Sequence, residues 1–558
     1  MIALGLGLLL AASPAGGQTG QRARGVLEST PVVRVMSLPV PGAGTGEGFT
    51  RLAPEVTGVV FTNSLAGDAF LTNAVAHNGS GVAVGDVDGD GRPDLYFCGL
   101  ESANRLYRNL GNWRFEEVPL GDAACAAQYS TGAAFADVDG DGDLDLLVNG
   151  IGTGTRLFLN DGRGGLGEYR DSGLSASASA TSLALADIDG DGDLDLYCTH
   201  YVDVMHLADS TTRFAVAREG GTWRVTRVNG ESANLPRWKD RFEVLEGGRV
   251  RELPEVDGFY RNEGGGRFTP IQGEPGTFLD ADGKPVGPFR DWGLSVMFRD
   301  MNGDGAPDIY VCNDNASPDR AWLNTGRGAF RAAPEGTFRH TSRSSMALDF
   351  ADVDRDGHDD LLVLDMLARE PGRRMMQMVR DLPDLAANER ADEVPRYNRN
   401  VLFVGRPDGT YAEVALMAGV AATDWSWGAV FVDVDLDGYE DLLVSNGFAF
   451  DVMDQDSHDA LRTRRLTFDQ RKRFRQFHPS WPTPNAAFRN RGDGTFEPRA
   501  DAWGFATVGI SYGIALGDLD GDGDLDVVVN NLNAPAGVYR NEASGPRVAV
   551  RLQGRGGN

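Results

Sequence analysis

Seven times along this chain a ten-residue stretch recurs in which acidic or amide side chains hold positions 1, 3, 5 and 9: "DVDGDGRPDL" from Asp86, "DVDGDGDLDL" from Asp137, "DIDGDGDLDL" from Asp187, "DMNGDGAPDI" from Asp300, "DVDRDGHDDL" from Asp352, "DVDLDGYEDL" from Asp433 and "DLDGDGDLDV" from Asp518. Carboxylates this dense repel one another and favour a solvated coil. Yet each copy lies between apolar runs, such as "SYGIAL" and "VVVNN" around the last, that read as strands. The columns resolve the conflict. Position 1 is Asp86, Asp137, Asp187, Asp300, Asp352, Asp433 and Asp518. Position 3 is Asp88, Asp139, Asp189, Asn302, Asp354, Asp435 and Asp520; position 5 is Asp90, Asp141, Asp191, Asp304, Asp356, Asp437 and Asp522. Position 9 is Asp94, Asp145, Asp195, Asp308, Asp360, Asp441 and Asp526. Position 6 is always Gly, positions 2 and 10 are always apolar, and position 7 is unrestricted: Arg92, Asp143, Asp193, Ala306, His358, Tyr439 and Asp524.

Each column has a chemical reason. Calcium takes about six to eight oxygens at roughly 2.3–2.6 Å, and carboxylates at alternate positions of a tight loop can converge on it. Gly at position 6 permits a left-handed turn. Position 7 is expected to offer only its carbonyl, which leaves its side chain free, and the position-9 aspartate to close the shell with both oxygens. An EF-hand would need Glu at position 12 and flanking helices. Here position 12 is Phe97, Val148, Cys198, Val311, Val363, Val444 and Val529, and the flanks are β-rich. Magnesium, with its stricter geometry, fits less well. About seven calcium ions are expected, with a structural role. At ten times its Kd each would add about 1.4 kcal/mol, and seven roughly 10 kcal/mol.

A second signature follows most copies: "RLYRNLGNWRFEEV" at Arg105, "RLFLNDGRGGLGEY" at Arg156, "FYRNEGGGRFTPI" at Phe259, "AWLNTGRGAFRAA" at Ala321, "VLFVGRPDGTYAEV" at Val401 and "AAFRNRGDGTFEPR" at Ala486. Each reads strand, Gly-rich turn, strand. One unit is then strand A, acidic loop, strand B, strand C, hairpin, strand D, which is a propeller blade. The expected fold class is all-β: a seven-bladed β-propeller over 48–545 with a calcium loop between strands A and B of each blade. The last unit stops at "GVYRNE" without a fourth strand, and residues 48–61 read as that strand, closing the ring. Long B–C connections at 200–258, 365–399 and 448–484 predict a partly helical cap on the face opposite the loops, with the Met-rich "DMLAREPGRRMMQMVRDL" segment contributing to its core.

The 73 glycines and 26 prolines among 558 residues suit a turn-rich β protein. A formal net charge of −28 argues against nucleic acid as a partner. Residues 1–17 read as a secretory signal peptide, although no Lys or Arg precedes the apolar run, and 18–47 as a linker. Nothing later reads as a membrane span. Four cysteines make no disulfide scaffold, but Cys98 and Cys125 are expected on the same face and able to pair in an exported chain; Cys198 and Cys312 are either paired or free and buried.

These blades resemble the FG-GAP and VCBS repeats of integrin α-subunit propellers and of secreted bacterial proteins. The stretch "RNVLFVGRPDGTYAEVALMAGVAATDWSWGAVFVDVDLDGYEDLLVSNGF", with "YGIALGDLDGDGDLDVVVNN", looks like the cartilage-acidic-protein-like family, and 546–558 resembles the opening of its ASPIC/UnbV domain, truncated. The resemblance implies calcium binding and an extracytoplasmic location, secreted or periplasmic, but no reaction.

The functional expectation is a monomeric, non-enzymatic binding or adhesion module for an extracellular protein or glycan. The alternatives are a lectin or, further off, a polysaccharide lyase. Candidate ligand-face residues are Trp292, Trp425, Trp427 and His200, with packing under the cap as the competing role for the tryptophans. His206, His340, His458 and His478 also fall in cap-side loops, without a catalytic spacing.

Overall fold

The computed structural model describes residues 46–545 except 68, 70–73, 208–211, 246–247, 315–316, 378–393, 468–469 and 471–472. The signal-peptide reading and the ASPIC/UnbV-like segment lie outside the described residues, as does nearly all of the linker. The chain is all-β, built mainly from antiparallel sheets. No described helix is long and apolar enough to cross a membrane.

Six sheets run A-B-C-D in chain order. In the first, A is Val82–Gly85, B Asp94–Phe97, C Arg105–Asn109 and D Phe115–Val118. The second has Ser130–Ala136, Asp145–Gly150, Gly154–Asn160 and Leu166–Glu168. The third has Ala180–Ala186, Asp195–His200, Gly258–Asn262 and Phe268–Pro270. The fourth has Gly293–Arg299, Asp308–Asn313, Arg320–Asn324 and Phe330–Ala332, plus a parallel fifth strand, Phe278–Leu279. The fifth has Ala347–Ala351, Asp360–Leu364, Val401–Gly405 and Tyr411–Glu413. The sixth has Ser426–Val432, Asp441–Asn446, Ala486–Asn490 and Phe496–Pro498.

The seventh sheet joins the two ends of the described chain. Ser511–Gly517, Asp526–Asn531 and Gly537–Asn541 supply A, B and C, and Phe49–Arg51 pairs with C, Phe49 opposite Asn541. The strand is shorter than the 48–61 reading, because Pro54 starts a helical turn, Pro54–Thr57, that ends on left-handed Gly58.

The B strands organise the core. Their apolar runs are buried on both faces, and period-2 alternation sends successive side chains to different neighbours. Leu95 and Phe97 pack with Val528 of the seventh sheet, while Tyr96 packs with Leu146 and Val148 of the second. Leu147 meets Leu196, Tyr197 meets Ile309 and Val311, and Tyr310 meets Leu361 and Val363. Leu362 meets Leu442 and Val444, and Leu443 meets Val527 and Val529. Each sheet thus shares one apolar cluster with the sheet before it and another with the sheet after it, the seventh with the first. The starts of all seven A strands line one cavity of about 260 Å³, with Thr131, Ser182, Ser295 and Trp427 among its walls.

An eighth cluster lies at the far ends of the B strands from the acidic loops. It gathers Leu100, Ile151, Tyr201, Met366, Phe448 and Leu532, each just past a B strand, with Trp292, Trp425 and Trp481. The insertions rise beside it, and they differ in kind. Among the described residues the 200–258 insertion forms strands: Phe214–Glu219, Thr222–Val228 and Glu231–Ser232 make one small sheet, and Phe242–Val244 pairs with Val250–Glu252. The other two carry helices Pro371–Met376 and Gln455–Arg462. The Met-rich segment is divided: Met366 and Ala368 join the cluster, while Met375 is 72% exposed.

The Cys98–Cys125 pairing is also corrected. All four cysteines are free and buried. Cys98 and Cys125 share a cluster, but Cys125 sits in a left-handed turn and its Sγ accepts from Arg156 Nη1 at 3.2 Å. Cys198 and Cys312 lie in separate clusters.

Candidate metal centres

Every acidic repeat forms the loop between strands A and B of its sheet, as its strand-like flanks predict. The loops fold on their own carboxylates. Oδ2 of the position-1 aspartate accepts the N–H of the position-6 glycine in all seven, at 2.8–3.0 Å. Oδ1 of position 5 accepts the N–H of position 7 at 2.9–3.1 Å. The position-6 glycines have φ between 87° and 97°. Position 4 is left-handed as well, at Gly89, Gly140, Gly190, Gly303 and Gly521 and, without glycine, at Arg355 (φ 62°) and Leu436 (φ 56°). Sequence reasoning passed over this column because two copies lack the glycine.

The position-9 aspartates open the B strands and are buried. One oxygen accepts the N–H of position 2 at 2.8–3.0 Å. The other accepts the N–H of the last residue of strand C at 2.7–2.9 Å. Both oxygens expected for a cation therefore already serve the backbone once, each keeping a second lone pair. Burial pushes these carboxyls up against the pull of those bonds: Asp94 and Asp145 to about 6, Asp195 and Asp308 to about 7, Asp360 and Asp441 to about 8 and Asp526 to about 9.

In five of the loops three carboxylates bring ligand atoms within 4.8 Å of one another: Asp86, Asp88 and Asp90; Asp137, Asp139 and Asp145; Asp187, Asp189 and Asp195; Asp352, Asp354 and Asp356; Asp433, Asp435 and Asp441. The donors are all oxygen, on loops already bent around their acids. That set fits a hard divalent cation and not a soft one. Of the position-7 side chains, Arg92 Nη1 pairs with the position-5 carboxylate of its own loop, 2.6 Å from Asp90 Oδ2, and Tyr439 lies under Arg355.

A further column ties each loop to the next sheet. Strand C ends in Asn109, Asn160, Asn262, Asn324, Asn490 and Asn541, and only the fifth unit differs, with Gly405. Each asparagine Nδ2 donates to the position-2 carbonyl of the preceding unit's loop: to Leu519, Val87, Val138, Ile188, Val353 and Val434, at 2.8–3.2 Å. In the fifth unit Tyr411 Oη reaches the Met301 carbonyl instead, at 3.1 Å. The "RN" repetition was the available signal, but its partner lies in another repeat.

Of the ligand-face candidates, Trp292, Trp425 and His200 are buried, while Trp427 lines the cavity at the A-strand starts. Trp292 and Trp425 are buried in the cap-side cluster, where Trp425 stacks on Phe448 at 4.0 Å. Trp427 is partly buried and its Nε1 donates to the Gly447 carbonyl. His200 is buried, its Nδ1 2.6 Å from the Val256 carbonyl, and burial lowers it to about 4.

The fold and loops define a class: an all-β chain of repeated four-stranded sheets with an oxygen-lined loop in each. A model of the FG-GAP-like repeat matches residues 86–148, 148–198, 300–363 and 480–529. Over those four stretches the chain is similar to FG-GAP-like repeats. No curated protein matches it. A structure on recognition of non-reducing terminal N-acetylglucosamine by an Agrocybe aegerita lectin is similar at 15% identity and a TM-score of 0.29, over 75% of this chain and 93% of that one. BBS1N in complex with ARL6DN is similar at 9% identity and a TM-score of 0.39, over 84% and 93%.

Proposed function

We propose that this chain is a secreted, closed seven-bladed propeller, fastened by structural calcium, that works as a binding or adhesion module for an extracellular protein or glycan. The observation that carries the calcium reading is the sevenfold recurrence of one loop, prefolded on its own acids, with carboxylates converged in five copies to within 4.8 Å. Closure is supported by the apolar cluster shared by seventh and first sheets, and by the pairing of Phe49–Arg51 with strand C of the seventh. Kinship with the cartilage-acidic-protein-like chains and with integrin propellers belongs to the same reading. The ions would be held by positions 1, 3, 5 and 9, with the position-7 carbonyl. They would supply the positive charge that lets these acids share a loop. No reaction is assigned.

Elemental analysis of the purified protein is expected to find about seven calcium ions per chain, and chelation to lower its melting temperature by more than 10 °C. Absence of bound metal, with melting indifferent to a chelator, overturns the calcium reading. For the partner, capture of an extracellular protein with silence on glycan arrays supports adhesion. Array binding would make it a lectin, and cleavage of an acidic polysaccharide a lyase.

A further inference from the structure

The penultimate residue of strand C sits beside the acidic loop of its own unit, and the units differ there. In the first, third and sixth it is Arg108, Arg261 and Arg489; in the second, fourth and fifth it is Leu159, Leu323 and Val404. Each of the three arginines reaches the position-3 carboxylate. Arg108 Nε lies 2.6 Å from Asp88 Oδ2, Arg261 Nε 3.4 Å from Asp189 Oδ2, and Arg489 Nε 2.6 Å from Asp435 Oδ2. Arg489 Nη2 is also 2.9 Å from Asp437 Oδ2. Arg540, aligned in the seventh unit, pairs with Glu542 instead.

We propose that Arg108, Arg261 and Arg489 are built-in competitors of the bound cation. They make the loops of the first, third and sixth units weak sites, while the second and fifth, with a full aspartate set and an aliphatic neighbour, are strong ones. The proposal rests on the calcium reading above. A fixed guanidinium can orient a ligating carboxylate, which favours the ion. It also removes one unit of negative charge from a site whose affinity follows its charge count, and it occupies a ligand oxygen. The charge effect is the larger, because these loops already hold their aspartates in place through backbone N–H donors. Without the ion, the same arginines relieve repulsion among the acids. The three loops are therefore the ones that stay folded when calcium runs low.

The test is calcium binding to the full chain, by equilibrium dialysis and calorimetry, with hydrogen exchange on the loops. The wild type is expected to show two classes at least tenfold apart. Arg261→Leu and Arg489→Leu should each move one site into the strong class with the total unchanged; the first loop, where Arg92 also pairs with Asp90, should follow only when Arg108→Leu is combined with Arg92→Leu. Leu159→Arg, which leaves the three arginine loops untouched, should move one site the other way. On chelation, the second and fifth loops should lose exchange protection before the first, third and sixth. One class of site in wild type and variants alike, or weaker binding after loss of an arginine, overturns the proposal and leaves the calcium reading standing. No calcium uptake by any of these proteins overturns both.

Discussion

Leu436 holds a left-handed backbone, φ 56°, at a position where five of its six counterparts are glycine. A β-carbon there costs roughly 1 kcal/mol or more. Leu436→Gly is expected to stabilise the protein by about 1 kcal/mol in denaturant unfolding. Arg355→Gly should gain less, because Arg355 lies 4.4 Å over the Tyr439 ring of the next loop and would lose that stacking. A fall in stability for Leu436→Gly would mean that the turn is not strained. Position 6 was legible because all seven copies agree, whereas Arg355 and Leu436 concealed the same demand at position 4. The cysteine pairing failed for a related reason. Sequence places Cys98 and Cys125 at one end of neighbouring sheets, but says nothing of the Arg156 guanidinium that takes up the Cys125 sulfur.

The hairpin of strands A and B is where charge and fold meet. Its position-9 aspartate is raised by burial to between about 6 and about 9, against an ordinary value near 3.8. Without a cation the folded state thus holds protons that the unfolded chain releases. Stability is greatest below pH 4 on this account and is lost as pH rises through the folded values. Metal-depleted protein should therefore melt progressively lower from pH 5 to pH 9. Calcium-loaded protein should lose this fall or reverse it, because the ion needs ionised carboxylates. Equal slopes in the two preparations would contradict the loops as cation sites. The loop's place between strands was readable from its apolar flanks. The asparagine column was not, because a single repeat read alone gives the Asn160 side chain only the Leu144 carbonyl and the N–H groups of its own turn, while the bond to Val87 crosses into another repeat. The tryptophans were legible as aromatic residues before A strands, while their burial follows from insertions that meet only in three dimensions.

Seven sheets that each share a core with two neighbours leave none able to bury its faces alone. The pairing of Phe49–Arg51 with Gly537–Asn541 joins the ends of that arrangement. Deleting residues 46–51 should leave strand C of the seventh sheet as a bare edge, broaden the melting transition and promote self-association through that edge, as light scattering would detect. A peptide of residues 46–61, added in trans, should reverse that self-association; a deletion that melts as sharply as the intact chain would show the strand to be dispensable. The repeat period made the sheets legible, and the unmatched last unit pointed to the strand near the start. The same pairing sets a timetable during synthesis. The segment around Phe49 leaves the ribosome first, and its partner follows nearly five hundred residues later. At an elongation rate of about 5–20 residues per second, that strand must wait on the order of half a minute or more, unpaired and open to proteases, chaperones or a sister chain.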